Sequence, residues 1–240
     1  QNPRNFKTSA LWPKELVTTW ALDYFGQTNL TNSVYVDCDG STSVMTQALD
    51  PTNCIFNVPI FTKDITFFPI LKNSHFTLII ANSREKTLQF YDPMGSKLAI
   101  AKIAIASFLK YYKAWCTITG ENPIIWKHVG IPVRTIQRDS WNCGVFIMHI
   151  MRHLDKGTST NEIFNPDEIR AAIKKGLLES SDDMYDDCLY CNKPNIDHFY
   201  VQCKDCQRWV HGVCTHLNLS PEQWAVEQFQ CELCLHHLQL

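Results

Sequence analysis

Short apolar runs and helical stripes alternate along the first three quarters of the chain, and the last quarter follows neither pattern. Leu16, Trp20 and Tyr24 recur at four-residue spacing, which predicts a helix over residues 16–25. Phe76-Thr-Leu-Ile-Ile-Ala81 and Leu88-Gln-Phe-Tyr91 read as strands joined by the turn-forming stretch Asn82-Ser-Arg-Glu-Lys86. Over residues 97–112, Ile100, Ile103, Phe108 and Tyr111 fall at helical spacing, and residues 129–136 are a further strand candidate. A helix is expected to start at Cys143 and run through His149 and His153 to Leu154. In the next one, Asn165 caps, Pro166 takes the first turn and Asp167 and Glu168 face the positive end of the helix dipole. Ile169, Ile173 and Leu177 form its stripe. No repeat or low-complexity tract is present.

Composition adds a boundary and a compartment. The 240 residues are 45% hydrophobic and 12% aromatic, enough for one full core plus a small module and far from the make-up of a disordered chain. No run reaches the roughly 18 apolar residues of a membrane span, so no membrane partner is expected. The start, Gln1-Asn2-Pro3-Arg4, has neither an initiator Met nor a secretory pattern and reads as a fragment or processed piece. A net charge of −2 excludes a chain built mainly to coat nucleic acid. Of the 11 cysteines, seven stand at or after Cys188 and only Cys38, Cys54, Cys116 and Cys143 before it. Their grouping in C-x2-C pairs points to metal rather than disulfides, and so to a reducing intracellular compartment. The polar, acidic stretch 179–187 is the natural seam. The expected organisation is an α+β domain over 1–180, an acidic linker over 181–187 and a metal-binding module over 188–240.

The module's ligand series is C-x2-C-x11-C-x2-C-x4-H-x2-C-x16-C-x2-C, formed by Cys188, Cys191, Cys203, Cys206, His211, Cys214, Cys231 and Cys234. Zinc takes four thiolate or imidazole ligands in a tetrahedron, so eight ligands make two closed structural sites. So small a unit draws much of its folding energy from the metals. The histidine fifth in the series, Trp209 two residues before it and Phe229 two before the last pair make the module resemble a PHD finger. The resemblance implies interleaved sites, with Cys188, Cys191, His211 and Cys214 on one ion and Cys203, Cys206, Cys231 and Cys234 on the other. It also implies a peptide partner, the N-terminal tail of histone H3, and a nuclear location. Tyr200 and Trp209 fall where two walls of a lysine-reading cage stand. Asp187 and Asn195 replace further aromatics, which favours a low methylation state or none. Residues 185–240 hold three Lys/Arg against seven Asp/Glu, a balance of −4 that suits a cationic peptide and repels DNA. The alternative is that Tyr200 and Trp209 only pack.

In the larger domain the candidate nucleophile is Cys143, within Gln137-Arg-Asp-Ser-Trp-Asn-Cys-Gly-Val-Phe146. Asn142 can cap a helix whose first turn holds the thiol, where the dipole and backbone N–H groups favour the thiolate. Gly144 leaves room for a substrate backbone. His75 stands before one predicted strand and Asp92 after the next. Pairing of the two as a hairpin brings the ends that carry them to one edge, where Asp92 can orient His75 as general base. Gln137, six residues before Cys143, can turn its amide N–H toward an oxyanion.

His75-Phe, Tyr91-Asp92 seventeen residues after the histidine, and Gln137 six residues before Cys143-Gly-Val-Phe resemble the Ulp/sentrin-specific cysteine proteases. The likeness spans residues 10–180. It implies a papain-like α+β fold, no catalytic cofactor, and cleavage after the C-terminal Gly-Gly of a ubiquitin-like modifier of the SUMO, NEDD8 or ubiquitin class. Trp12-Pro-Lys-Glu-Leu-Val17 is similar to that family's W-L-x-D-x-x-I cleft segment, with Pro13 and Glu15 as departures. Phe76 replaces the family's tunnel Trp and offers a flat apolar wall, Asn142 stands where the family carries Asp, and Trp141 is a further cleft candidate. The same residue order occurs in adenovirus-type processing proteases, which would cut a viral or mobile-element polyprotein. YopJ-type acetyltransferases place a similar triad in a related fold, and a catalytically idle modifier- or histone-binding module is the non-enzymatic alternative. His149 and His153, four apart on one helix, read as packing groups rather than metal ligands. Asp139 is a second, less suitable orienter, and His128, Cys38, Cys54 and Cys116 belong to no constellation.

Overall fold

The computed structural model describes residues 16–47, 50, 60–95, 98–179, 188–189, 199–215, 217, 220, 223 and 228–235. The chain divides into two compact units, Pro13–Ile173 and a second within Lys174–Leu240. Trp12, Cys54, Asp187, Cys191, Asn195 and the acidic seam 181–187 lie outside the described residues.

The larger unit is built on a five-stranded sheet of order β1-β2-β3-β4-β5. Helix α1 (Thr19–Asn29) precedes β1 (Ser33–Tyr35) and α2 (Cys38–Met45). Strands β2 (Ile65–Lys72), β3 (His75–Asn82) and β4 (Thr87–Tyr91) form an antiparallel meander. The remaining elements are α3 (Leu98–Thr119), β5 (Lys127–His128), α4 (Cys143–Asp155) and α5 (Pro166–Glu179). β1 and β5 add to the two sides in parallel.

Side chains alternate across the pleat. Phe68, Ile70, Ile79, Ala81 and Leu88 join Ala104, Phe108, Tyr111 and Tyr112 of α3 in one core, closed by Trp126. Phe108 and Tyr112 stack at 6.1 Å, with the Trp126 ring edge-on to both. Phe76, Leu78 and Ile80 are buried on the opposite face, where α4 packs on β3. The result is helix, sheet, helix, with α4 laid under the strands that carry the site.

Three expectations need correction. Helix α1 begins at Thr19, not Leu16, because the Thr18 hydroxyl accepts the Ala21 N–H and caps it there. Helix α3 extends to Thr119, since the apolar spacing continues through Tyr112 and Cys116, both buried. Residues 129–136 form no strand. Gly130 and Pro132 interrupt them, and parallel pairing with β4 is confined to Lys127 and His128.

Strand β2 was not anticipated, and Pro69 in its middle shows why. Phe67 O accepts from Val36 N on the outer side, and Leu71 N donates to Thr42 Oγ1 at 2.8 Å. Backbone polar groups alternate sides, so Pro69 turns its missing N–H to that same outer side. β1 pairs only with Ile65–Phe67, and no ladder bond is lost at Pro69.

The smaller unit contains a two-stranded ribbon, β6 (Tyr200–Gln202) against β7 (Trp209–His211). A 3₁₀ turn (Gly212–Cys214) and a short helix α6 (Glu232–Leu235) follow. Its small core gathers Leu189, Val201, Val210 and Phe229 around the cysteines. Among the described residues no helix is long and apolar enough to cross a membrane.

Candidate active site and metal centre

β2 and β3 are joined by the two-residue turn Asn73-Ser74, both left-handed at φ 51° and 58°, the shape of a tight type I′ hairpin. His75 is the first residue after that turn. Because β3 and β4 run antiparallel, the start of β3 and the end of β4 meet at one edge. There His75 Nε2 lies 2.7 Å from Asp92 Oδ1. Asp92 is buried and its Oδ1 also accepts the Met94 N–H at 3.0 Å, which fixes the carboxylate. Helix α4 brings Cys143 to the same edge. There the thiol acts on the imidazole, whose Nε2 is already taken by Asp92. The bond to Asp92, then the bond to Cys143, raise the His75 pKa to about 9. The Cys143 sulfur also lies 4.0 Å from the Ser74 carbonyl.

The first backbone bond of α4 runs from Phe146 N to Asn142 O, leaving the N–H groups of Cys143 and its neighbours at the open, positive end of the helix. Asn142 is the N-cap residue, but its side chain makes no capping bond, contrary to expectation. Its Oδ1 accepts instead from Arg170 of α5, and its Nδ2 donates to Asp139 Oδ2 at 3.0 Å. Asp139 organises the loop. Burial works against its ionised form, but hydrogen bonds from Asn142, Trp141 and Gln137 hold its carboxyl below the usual range. Gln137 is buried, and its Nε2 donates to the Asp139 carbonyl at 2.9 Å and to Oδ1 at 3.2 Å. Its amide N–H is therefore turned to Asp139, where the sequence pointed it at an oxyanion.

Two further assignments change. Gly144 does not leave open space. A Cβ there would lie 2.5 Å from the Val17 Cβ, so the glycine admits Val17 rather than substrate. Phe76 is only 1% exposed and belongs to the α4-facing core, so it presents no open wall. Trp141 is half-buried beside the loop, with its N–H on Asp139 Oδ1. His149 is buried, stacked on Phe164 at 3.9 Å and against His153 at 4.3 Å, a packing role as the sequence indicated. Cys38 and Cys116 are buried and His128 is exposed on β5, all away from the site. Arg170 was missed. An arginine next to the apolar stripe of α5 gave no sign that it would be drawn inside.

In the smaller unit Cys203, Cys206, Cys231 and Cys234 place their sulfurs within 4.8 Å of one another, and Cys188, His211 and Cys214 form a second such group. No disulfide joins the described cysteines. The Cys206 and Cys231 sulfurs sit 3.7 Å apart. The Cys188 and Cys203 sulfurs each accept a backbone N–H at 3.3 Å, from His211 and Cys231. Four soft donors converging without a disulfide are the donor set of a structural zinc. The two groups match the interleaved pairing, with Cys191 outside the described residues. Tyr200 and Trp209 lie on adjacent strands with ring centroids 6.1 Å apart at 25°.

Two family models match this chain. The Ulp1 protease family, C-terminal catalytic domain, matches residues 42–184, more than half of the chain, and the PHD-finger model matches residues 188–234. Human PHD finger protein 3 is 32% identical over 93 residues, covering 35% of this chain, which spans only 5% of that protein. The Ulp1 protease domain in complex with Smt3, the yeast orthologue of SUMO, superposes with a TM-score of 0.59 at 16% identity, over 73% of this chain and 82% of that one. The Chaetomium thermophilum Ulp1-like SUMO protease catalytic domain gives 0.54 at 17% identity, over 70% and 74%. Ulp1 with its catalytic cysteine oxidised to a sulfenic acid gives 0.56 at 14%, over 73% and 83%. These likenesses establish the fold. The chain belongs to the Ulp1 protease family, a cysteine protease domain followed by a zinc-binding PHD finger.

Proposed function

We propose that this chain cleaves the peptide or isopeptide bond after the C-terminal Gly-Gly of a ubiquitin-like modifier of the SUMO class, with Cys143 as nucleophile. The observation that carries the reading is the His75–Asp92 pair at 2.7 Å, at the edge to which a helix N-terminus brings the Cys143 thiol. His75 takes the thiol proton, and the thiolate attacks the carbonyl carbon of the terminal glycine. The tetrahedral oxyanion is met by the Cys143 N–H and by the Gln137 amide, which turns one of its two N–H groups from the Asp139 carbonyl to the oxyanion while the other stays on Asp139 Oδ1. As the C–N bond breaks, the imidazolium gives its proton to the leaving amine, and a thioester remains on Cys143. Water then attacks, loses a proton to His75 and displaces the thiolate, freeing the modifier's carboxylate. Asp92 keeps Nε2 protonated so that Nδ1 is the exchanging nitrogen.

The SUMO assignment is supported by the solved relatives described as SUMO proteases. We assign two zinc ions to the finger. A histone H3 tail is its proposed ligand, with the Tyr200 and Trp209 faces receiving a lysine side chain, and a nuclear location is the proposal that goes with that ligand. The test is labelling by C-terminal electrophile probes built on SUMO, NEDD8 and ubiquitin. An adduct with the SUMO probe that is lost in Cys143→Ala supports the reading. No adduct with any probe overturns it, and an adduct with another modifier alone moves the substrate class.

A further inference from the structure

The loop that delivers Cys143 is held by a relay of side-chain bonds that includes a buried arginine. Arg170 lies on α5 and is 2% exposed. Its Nε and Nη2 both donate to Asn142 Oδ1, at 3.1 and 2.8 Å, and Nη2 also donates to the Trp141 carbonyl at 3.1 Å. From Asn142 the relay runs through Nδ2 to Asp139 Oδ2. Asp139 Oδ1 takes the N–H of Trp141 at 3.0 Å, that of Asn142 at 2.8 Å and the Gln137 amide at 3.2 Å.

The Trp141 carbonyl and the Asn142 N–H belong to one planar peptide unit. Arg170 grips it from the oxygen side and Asp139 from the nitrogen side. The orientation of that unit sets the one that follows it, which carries the Cys143 N–H. The other proposed oxyanion donor, the Gln137 amide, hangs on the same Asp139 carboxylate. Both donors are thus mounted on one frame.

We propose that Arg170 is a positioning residue for oxyanion stabilisation, acting through Asn142 and Asp139 on the Cys143 N–H and the Gln137 amide. The task needs the guanidinium fork. The bonds leave from two separate nitrogens, Nε and Nη2, and reach two oxygens from one buried site, a spread that the single nitrogen of a lysine does not reproduce. The inference rests on the proteolytic reading above and extends it to a residue 27 positions after the nucleophile.

Donors that act only on the oxyanion contribute in the transition state and not to substrate binding. Loosening their mount lowers kcat and leaves KM in place. It also leaves the proton exchange between Cys143 and His75 alone, because the imidazole is held by Asp92. The experiment uses the full chain and a fluorogenic SUMO substrate, with active sites titrated by the SUMO electrophile probe. For Arg170→Lys the expected result is a kcat reduced roughly tenfold per titrated site with KM within about twofold, the size expected when an oxyanion donor is displaced rather than deleted. The pH profile of Cys143 alkylation by iodoacetamide should coincide with that of wild type. Wild-type kcat per site in Arg170→Lys, or a kcat loss that comes with a displaced alkylation profile, overturns the proposal. If Arg170→Lys does not fold, Asn142→Ala removes only the receiving amide and should give the same split. Failure of both to fold, read by thermal denaturation, makes the relay purely structural and also overturns it. An inert wild type is a different outcome, since it sinks the proteolytic reading itself.

Discussion

His75 and Asp92 are 17 residues apart in sequence and 2.7 Å apart in space, and the distance is a property of the hairpin that carries them. The register pairs Leu78 with Tyr91 and Asn82 with Thr87, so the strand ends close on each other without help from a long loop. Asp92 is immobilised by the Met94 N–H, and it holds the imidazolium to a pH well above the histidine norm.

From this follows a pH dependence. His75 is raised to about 9, so its protonated form, which supplies the leaving amine with a proton, is lost as pH rises through about 9. kcat/KM should show an alkaline limb there, and in Asp92→Asn that limb should move down toward the ordinary value near 6.5. The same sign governs stability. The gain from the His75–Asp92 contact is full below about pH 6.5 and fades as pH climbs through about 9. A limb that stays put in Asp92→Asn would remove Asp92 from the role of orienter.

Gly144 is a packing glycine, and its substitution should reveal that. Gly144→Ala sets a methyl 2.5 Å from the Val17 Cβ and is expected to lower stability by about 1–3 kcal/mol in a denaturant titration. Because the nearest atom is the Val17 Cβ itself, adding Val17→Ala should not restore the loss, whereas Val17→Gly should recover part of it. A Gly144→Ala protein of unchanged stability but raised KM would return the position to substrate contact.

His149 gives the larger unit an acid sensitivity. Burial, then the charges of His153 and Arg152, lower its pKa to about 4, so it is neutral in the fold. Between pH 6.5 and 4 the unfolded chain binds the extra proton and stability falls with pH, on the order of 2 to 3 kcal/mol over that window. His149→Phe keeps the stack on Phe164 and should flatten this part of the stability profile, measured by urea melts at pH 7 and pH 4.5.

The finger should carry two zinc ions per chain by elemental analysis. Cys231→Ser removes one ligand of the all-cysteine group and should leave one zinc, and a strong chelator should abolish the finger's folded signals, because the metals supply much of a small unit's stability. One zinc in the wild type would break the pairing of Cys188, His211 and Cys214 as a second site.

What the sequence made legible follows from how local each determinant is. The β3–β4 hairpin and the edge where His75 meets Asp92 were readable because period-two runs flank a short turn. The zinc ligands were readable because C-x2-C knuckles carry their geometry in their spacing. Strand β2 was hidden by Pro69, tolerable only because the outer side of the strand carries no ladder bond at that position. The role of Gly144 depends on Val17, 127 residues earlier, and that of Asn142 on Arg170, 28 residues later. Neither distance leaves a local pattern. Gln137 was found by spacing, but the partner of its amide, Asp139, is a matter of loop geometry that spacing does not encode.

The β2–β3–β4 meander has two kinds of corner. Asn73-Ser74 spaces His75 from β2 with no residue to spare, so an insertion there would shift the imidazole off both its neighbours. At the far end of the same ladder the turn after Asn82 is exposed, with Asn82 Oδ1 taking the Glu85 N–H and the Ser83 and Arg84 side chains bonded back to Asp64. An affinity tag or fluorescent reporter spliced between Arg84 and Lys86 would therefore ride on the enzyme with the length of β3 between it and the chemistry.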